Sequence, residues 1–158
     1  MMPPDLHSIG FNRKELRSEI EIDAKVAQVW RILTDFEKFP DWNPFVREVS
    51  GRLEQDQKLK VTLKPSGGRT TKFSPKIVVC EANRELRWVG HVGVPGLFDG
   101  EHSFEMRPLG ETRTLFVQRE QFGGILLPLL TGMLRNSTAR GFSEMNQALK
   151  RRAEEKEA

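Results

Sequence analysis

The chain has 158 residues, 37% of them hydrophobic, and carries 25 Lys and Arg against 22 Asp and Glu for a net charge of +3. That length suits one domain, that composition excludes intrinsic disorder, and so small a positive surplus excludes whole-surface attraction to nucleic acid. A single cysteine, Cys80, excludes an intramolecular disulfide and a multi-cysteine zinc site, and the lack of tyrosine removes phenol acid/base chemistry.

Residues 1–14 show no periodicity and are expected to form a loose arm. Met1 to Phe11 holds Pro3, Pro4, Asp5 and His7 with no apolar core before a cleavage site, so a cytoplasmic location is expected. From Glu15 to Ile22, Leu16, Ser18, Ile20 and Ile22 alternate with charged residues, the period of a half-buried strand. Asp23 is a candidate helix cap, and Val26, Val29, Trp30 and Leu33 then fall at amphipathic helical spacing. Asp35 can cap again, so Phe36 to Phe39 reads as a short second helix that stops before Pro40.

The chain up to Phe122 then reads as strands on short turns, hence an antiparallel meander. The predicted strands are Lys58 to Lys64, Thr70 to Glu81, Leu86 to Val92, Glu101 to Arg107 and Thr112 to Phe122. Gly123 and Gly124 break the last of them. A long helix follows, carrying Leu126, Leu130, Met133, Leu134, Met145 and Leu149, with Pro128 tolerated in its first turn. The apolar stretch Ile125 to Leu130 is interrupted by Pro128 and falls far short of the roughly 20 residues that span a bilayer. One domain is thus expected over 15–152, with a frayed charged tail at 153–158.

One strand, two short helices, a meander and a long final helix describe an α+β layer arrangement with helices on one face of a curved antiparallel sheet. A sheet bent around one helix leaves a cleft of the kind that holds small ligands. These elements and particular residues resemble the START/Bet v 1-like (SRPBCC) superfamily, especially its polyketide cyclase/dehydrase and lipid-transport group. The most specific stretch is VWRILTDFEKFPDWNPFV, with Trp30, Asp35, Phe36, Phe39, Pro40, Trp42, Asn43 and Pro44. Leu86 with Trp88, the GEHSFEM strand, Glu120 to Gly123, and Phe142, Met145, Asn146 and Leu149 add weaker matches. The resemblance implies a helix-grip fold with a hydrophobic cavity between sheet and last helix.

Several candidate site residues follow. Trp42 and Asn43 would form a cavity rim, although Asn before Pro is also a turn initiator and tryptophan a loop anchor. Phe73, Ile77, Trp88, Phe104 and Phe116 would line the cavity, as alternation in an ordinary closed core would equally place them. His102 shares strand parity with Phe104, so an inward apolar face would carry an imidazole usable as acid or base. Glu120, in parity with Phe116, is its candidate partner, yet Leu115 and Val117 leave the inward side of that strand undecided. On the final helix Leu130, Leu134, Thr138 and Gly141 face the same space, and the glycine marks either a close backbone approach or room for a guest.

Lys58, Lys60, Lys64, Arg69, Lys72 and Lys76 form a basic stretch with no acidic residue between them. They read as a solvated outer face or as a weak contact with an anionic membrane surface. With Phe73 its only aromatic, the stretch does not suit nucleic acid. No nucleophile elbow, phosphate loop or dinucleotide fingerprint is present, and His7, His91 and His102 are too scattered for a metal site, so neither cofactor nor metal is expected. Cys80 reads as an inert thiol. The expectation is a protein that binds or carries a hydrophobic small molecule (a lipid, polyketide or isoprenoid-like compound). The alternative is a cyclase/dehydratase-like enzyme using His102 for proton transfer and Glu120 to orient it.

Overall fold

In the computed structural model, which describes residues 2–155, the alternating segment is strand β2 (Arg13–Ile22), with Leu16, Ser18, Ile20 and Ile22 buried on one side. It has an unexpected neighbour. Residues 2–10 of the supposed loose arm form β1 (Met2–Gly10), antiparallel to β2 with Leu6 opposite Leu16. β1 is an edge strand exposed along nearly its whole length, so it has no buried side to print an alternation in its sequence. Backbone pairing to β2 orders it instead.

Helix α1 (Val26–Thr34) turns Val29 and Leu33 inward. Its N-cap is Lys25 rather than Asp23, whose backbone N–H donates to Glu154 Oε1 at 2.8 Å. A single 3₁₀ turn (Phe36–Lys38) leads into α2 (Phe39–Trp42). Pro40 therefore opens a new helical turn rather than merely ending one, because a first-turn residue needs no N–H.

Strands β3 (Val46–Ser50), β4 (Lys60–Leu63) and β5 (Thr71–Phe73) form a small sheet. Strands β6 (Lys76–Glu81), β7 (Glu85–His91), β8 (Asp99–Pro108) and β9 (Thr114–Gly123) complete a six-stranded antiparallel sheet ordered β1-β2-β9-β8-β7-β6. The single strand predicted over Thr70 to Glu81 is thus two, divided at Ser74 and Pro75, since proline cannot donate to a ladder. Pro75 still accepts a hydrogen bond from the Leu59 N–H at 2.8 Å, and Lys58 pairs with Lys76, which stitches the two sheets at a corner.

The final rod comprises α3 (Leu127–Met133), a π-helical turn (Leu134–Thr138) and α4 (Ala139–Glu154). Phe142, Met145 and Leu149 seal it against the inner face of the sheet. Ala153 is 2% exposed and Glu154 is hydrogen-bonded, so the rod stays ordered where fraying was expected. Residues 156–158 of that expected tail lie outside the described residues. The whole is the α+β helix-grip arrangement, an antiparallel sheet curved around a long C-terminal helix.

Candidate functional site

A cavity of about 500 Å³ opens between the sheet and the rod. Its walls are mostly apolar, with Phe45, Leu63, Phe73, Phe98, Phe122 and Leu130 prominent. The π turn sets Ser137 and Thr138 on the rod's side of it, and its lining also takes Arg69 from the β4–β5 loop and Thr71 from the start of β5. Among the proposed lining residues, Phe73, Leu130, Leu134 and Thr138 are therefore in the wall, as is Glu120.

Glu120 settles the facing of β9. Phe116, Gln118 and Phe122 lie in parity with it and are all buried, while Arg119 and Gln121 point outward into ion pairs and hydrogen bonds with Glu105 and Glu15. Across the ladder Glu120 pairs with His102, and the next pair is Gly100 with Phe122. A Cβ on Gly100 would fall 2.6 Å from Glu120 Oε1, so the carboxyl group leans across the one position of β8 that leaves it space. Gly100 carries no site signal in the sequence, because its role exists only once β8 and β9 are in register.

His102 is 2% exposed and stands behind Glu120 rather than in the cavity wall. Its ring stacks between Phe104 and Phe142, with centroids 4.3 and 5.1 Å away, and Trp88 meets it edge-on at 5.7 Å. Both ring nitrogens face polar groups. Nε2 lies 2.9 Å from Gln118 Oε1, the Gln118 amide donates to Asn146 Oδ1 at 2.8 Å, and the Asn146 amide donates to Ser18 Oγ at 2.8 Å. With the Gln118 NH₂ engaged by Asn146, its carbonyl faces the imidazole, so His102 Nε2 carries the hydrogen. Nδ1 then faces Glu120 Oε2 at 3.4 Å, longer than a direct hydrogen bond and within ion-pair range. Of the two, Glu120 thus meets the cavity and His102 stands behind it.

The other proposed contacts fall elsewhere. Ile77, Trp88, Phe104 and Phe116 are core side chains at most 2% exposed, outside the cavity wall. Asn43 is fully buried, with Oδ1 accepting the N–H groups of Phe45 at 3.0 Å and Val46 at 2.9 Å, so it shapes the turn into β3 and does not face a guest. Trp42 packs edge-on against Phe39 beside a separate, polar groove that includes Gln28 and Arg152. At Gly141 a Cβ would lie 2.4 Å from Phe45 Cδ2, so its glycine serves close approach to the Phe45 ring and leaves no room for a guest. Phe45, which the sequence did not single out, is 1% exposed and forms part of the wall. Cys80 is half-buried and burial pushes its thiol up from the usual range, consistent with an inert group.

A family model described as polyketide cyclase / dehydrase and lipid transport matches residues 13–154. The chain belongs to this family. Its fold is similar to the Zhui aromatase/cyclase from Streptomyces sp. R1128, with a TM-score of 0.74 at 15% identity over 90% of this chain and 94% of that one. A START superfamily protein from Mycobacterium smegmatis superposes with a TM-score of 0.71 at 22% identity, over 89% of this chain and 97% of that one. Norcoclaurine synthase from Thalictrum flavum, solved with dopamine and hydroxybenzaldehyde, gives 0.70 at 14% identity over 92% and 89%. At these identities the likeness establishes the fold alone. A search of curated proteins finds no match. Among the described residues no helix is long and apolar enough to cross a membrane.

Proposed function

We propose that this member of the polyketide cyclase / dehydrase and lipid transport family binds a hydrophobic small molecule between sheet and rod. One observation carries the reading: a largely apolar cavity of about 500 Å³ with a carboxyl group, Glu120, in its wall. A guest gains about 25 cal/mol for each Å² of apolar surface taken from water. The carboxyl and the hydroxyls of Thr71, Ser137 and Thr138 give a hydroxyl or carbonyl on that guest somewhere to bond. A polycyclic or isoprenoid-like molecule bearing a few oxygens fits this lining.

Native mass spectrometry of the purified protein tests the reading, with Thr138→Trp to fill the cavity. The expected result is a hydrophobic compound that travels with the wild type and is lost from a folded Thr138→Trp variant. A wild type that neither carries such a compound nor takes up hydrophobic probes, or a variant that binds them equally, overturns it.

The Glu120 carboxyl in the cavity wall, with the His102 ring 3.4 Å behind it, favours one second reading, a cyclase/dehydratase-like enzyme. In that case Glu120 exchanges a proton with the bound guest and His102, oriented by Gln118, exchanges it with Glu120. Turnover of a polyketide-like substrate that Glu120→Gln abolishes while binding survives would favour this reading. Unchanged turnover in that variant would remove it.

A further inference from the structure

Eleven large apolar side chains are exposed among the described residues, and six of them gather at one end of the molecule: Phe11, Val92, Val94, Ile125, Leu129 and Met133. Phe11 is fully exposed at the tip of the β1–β2 hairpin, Val94 is 65% exposed, and Ile125 and Leu129 are 73% and 81% exposed. Hydrogen bonds to backbone carbonyls hold their segments together. Asn12 Nδ2 donates to the Gly124 carbonyl at 2.8 Å, and the N–H groups of Ile125 and Leu126 donate to Gly96 and Leu97, each at 3.0 Å. Leu129 and Met133, four residues apart in α3, share one face of the rod, and Ile125 lies in the turn just before it. Met133 and Val92 of this group also line the cavity, so the cluster frames its mouth.

Basic residues predominate at this end, where the acidic groups are Asp99, which accepts the Gly96 N–H, and Glu120 in the cavity wall. The segments 63–73, 90–98 and 125–140 frame the mouth and contain five of the chain's 25 Lys and Arg and none of its 22 Asp and Glu. The rest of the chain therefore carries 20 basic residues against 22 acidic ones. Lys64, Arg69, Arg135 and Arg140 are all exposed, and Arg140 reaches to the loop at Gly67, whereas Lys72 lines a separate groove that also holds Glu37 and Glu48. Lys76 of the basic stretch likewise lies beside Asp56, away from the mouth. An apolar tip ringed by cations matches the layering of a bilayer surface, where anionic headgroups overlie acyl chains. A second copy of the chain is a poor occupant, because a symmetric contact through this face would bring Arg69, Arg135 and Arg140 up against the same three cations of the other copy.

We propose that this end is a membrane-docking face that seats the cavity mouth in the headgroup region of an anionic phospholipid bilayer. Phe11, Val94, Ile125 and Leu129 enter the interface while Arg69, Arg135 and Arg140 bind lipid phosphates. The purpose of docking rests on the cavity reading, since a lipid-soluble guest then passes between bilayer and cavity without crossing water. Docking itself is measurable with no guest at all.

The test is sedimentation of the full chain with vesicles of phosphatidylcholine alone or containing 30 mol% phosphatidylglycerol, about the fraction that gives a markedly negative surface. Partitioning at least about tenfold stronger into the anionic vesicles is expected, weakening with salt. Arg135→Gln lowers it about fivefold, the effect of one surface charge near an anionic membrane. Phe11→Ser with Leu129→Ser lowers it about tenfold or more without changing the melting temperature, since both side chains lie in solvent. Equal binding to both vesicle types, no binding to either, or indifference to these substitutions overturns the proposal. So does a wild type that light scattering shows to be a dimer and that Phe11→Ser with Leu129→Ser makes monomeric, because the face would then bind protein. A protein that docks but carries no guest retains this proposal and loses the cavity reading.

Discussion

Replacing Gly141 by alanine sets two physical effects against each other, and Gly132 supplies the control. Inside an exposed helix, Gly→Ala stabilises by about 1 kcal/mol because alanine loses less backbone freedom on folding. Gly132 has no heavy atom within 4 Å of a Cβ, so it should show that gain. At Gly141 the same methyl would lie 2.4, 2.6 and 2.8 Å from Phe45 Cδ2, Cε2 and Cγ, where carbon pairs want about 3.5–4.0 Å. The ring cannot slide aside cheaply. Phe45 is 1% exposed, packs on Phe142 at 5.9 Å, and its backbone N–H is held by Asn43. Overpacking of this kind costs about 1–3 kcal/mol and more when a backbone must shift. Against a helix gain of about 1 kcal/mol, a net loss of up to about 2 kcal/mol is expected for Gly141→Ala. In a chain of this size that lowers the melting temperature by up to roughly 8 °C, while Gly132→Ala raises it by roughly 2–4 °C. Calorimetry or urea melts read both. A Gly141→Ala protein as stable as Gly132→Ala would refute the packing of Phe45 on the rod's backbone.

Three further perturbations probe the polar groups. Ser18→Ala leaves the Asn146 amide without its acceptor at the end of the buried chain and is expected to cost about 1–3 kcal/mol in denaturant melts. A loss under about 0.5 kcal/mol would mean that the chain is not closed at that end. Gly100→Ala forces the Glu120 carboxyl away from its resting place, and a crystal structure should show that group displaced toward the cavity; an unmoved Glu120 would contradict the role given to Gly100. For Glu154, partial burial opposes ionisation, but the Asp23 N–H and the Lys150 ammonium together hold its carboxyl below the ordinary value of 4.5. A lowered value in the folded state means stability that is present above 4.5 and is lost as acid titrates the folded carboxyl. Wild type should therefore exceed Glu154→Gln by less than about 1 kcal/mol at pH 7 and lose that margin toward pH 3, and a margin independent of pH would count against the account.

The alternation of β2, the helical spacing of Val26 to Leu33 and the apolar stripe of the final rod were legible in the residues, because each element buries one face and that face imposes its period on the chain. The VWRILTDFEKFPDWNPFV stretch likewise identified the family that the match over residues 13–154 establishes. What escaped depended on partners distant in sequence. β1 has no buried face and takes its order from β2. β3 is only five residues long, and its Val46 and Val49 acquire partners from β4. Glu120 sits among apolar residues of both parities, so its inward facing was decided by the register with β8, which sets Gly100 beside it and His102 behind it. Local periodicity is a property of one segment against water. A site is a property of several segments against each other, and only their packing determined that a carboxyl group, backed by a buried imidazole, stands in the wall of an apolar cavity.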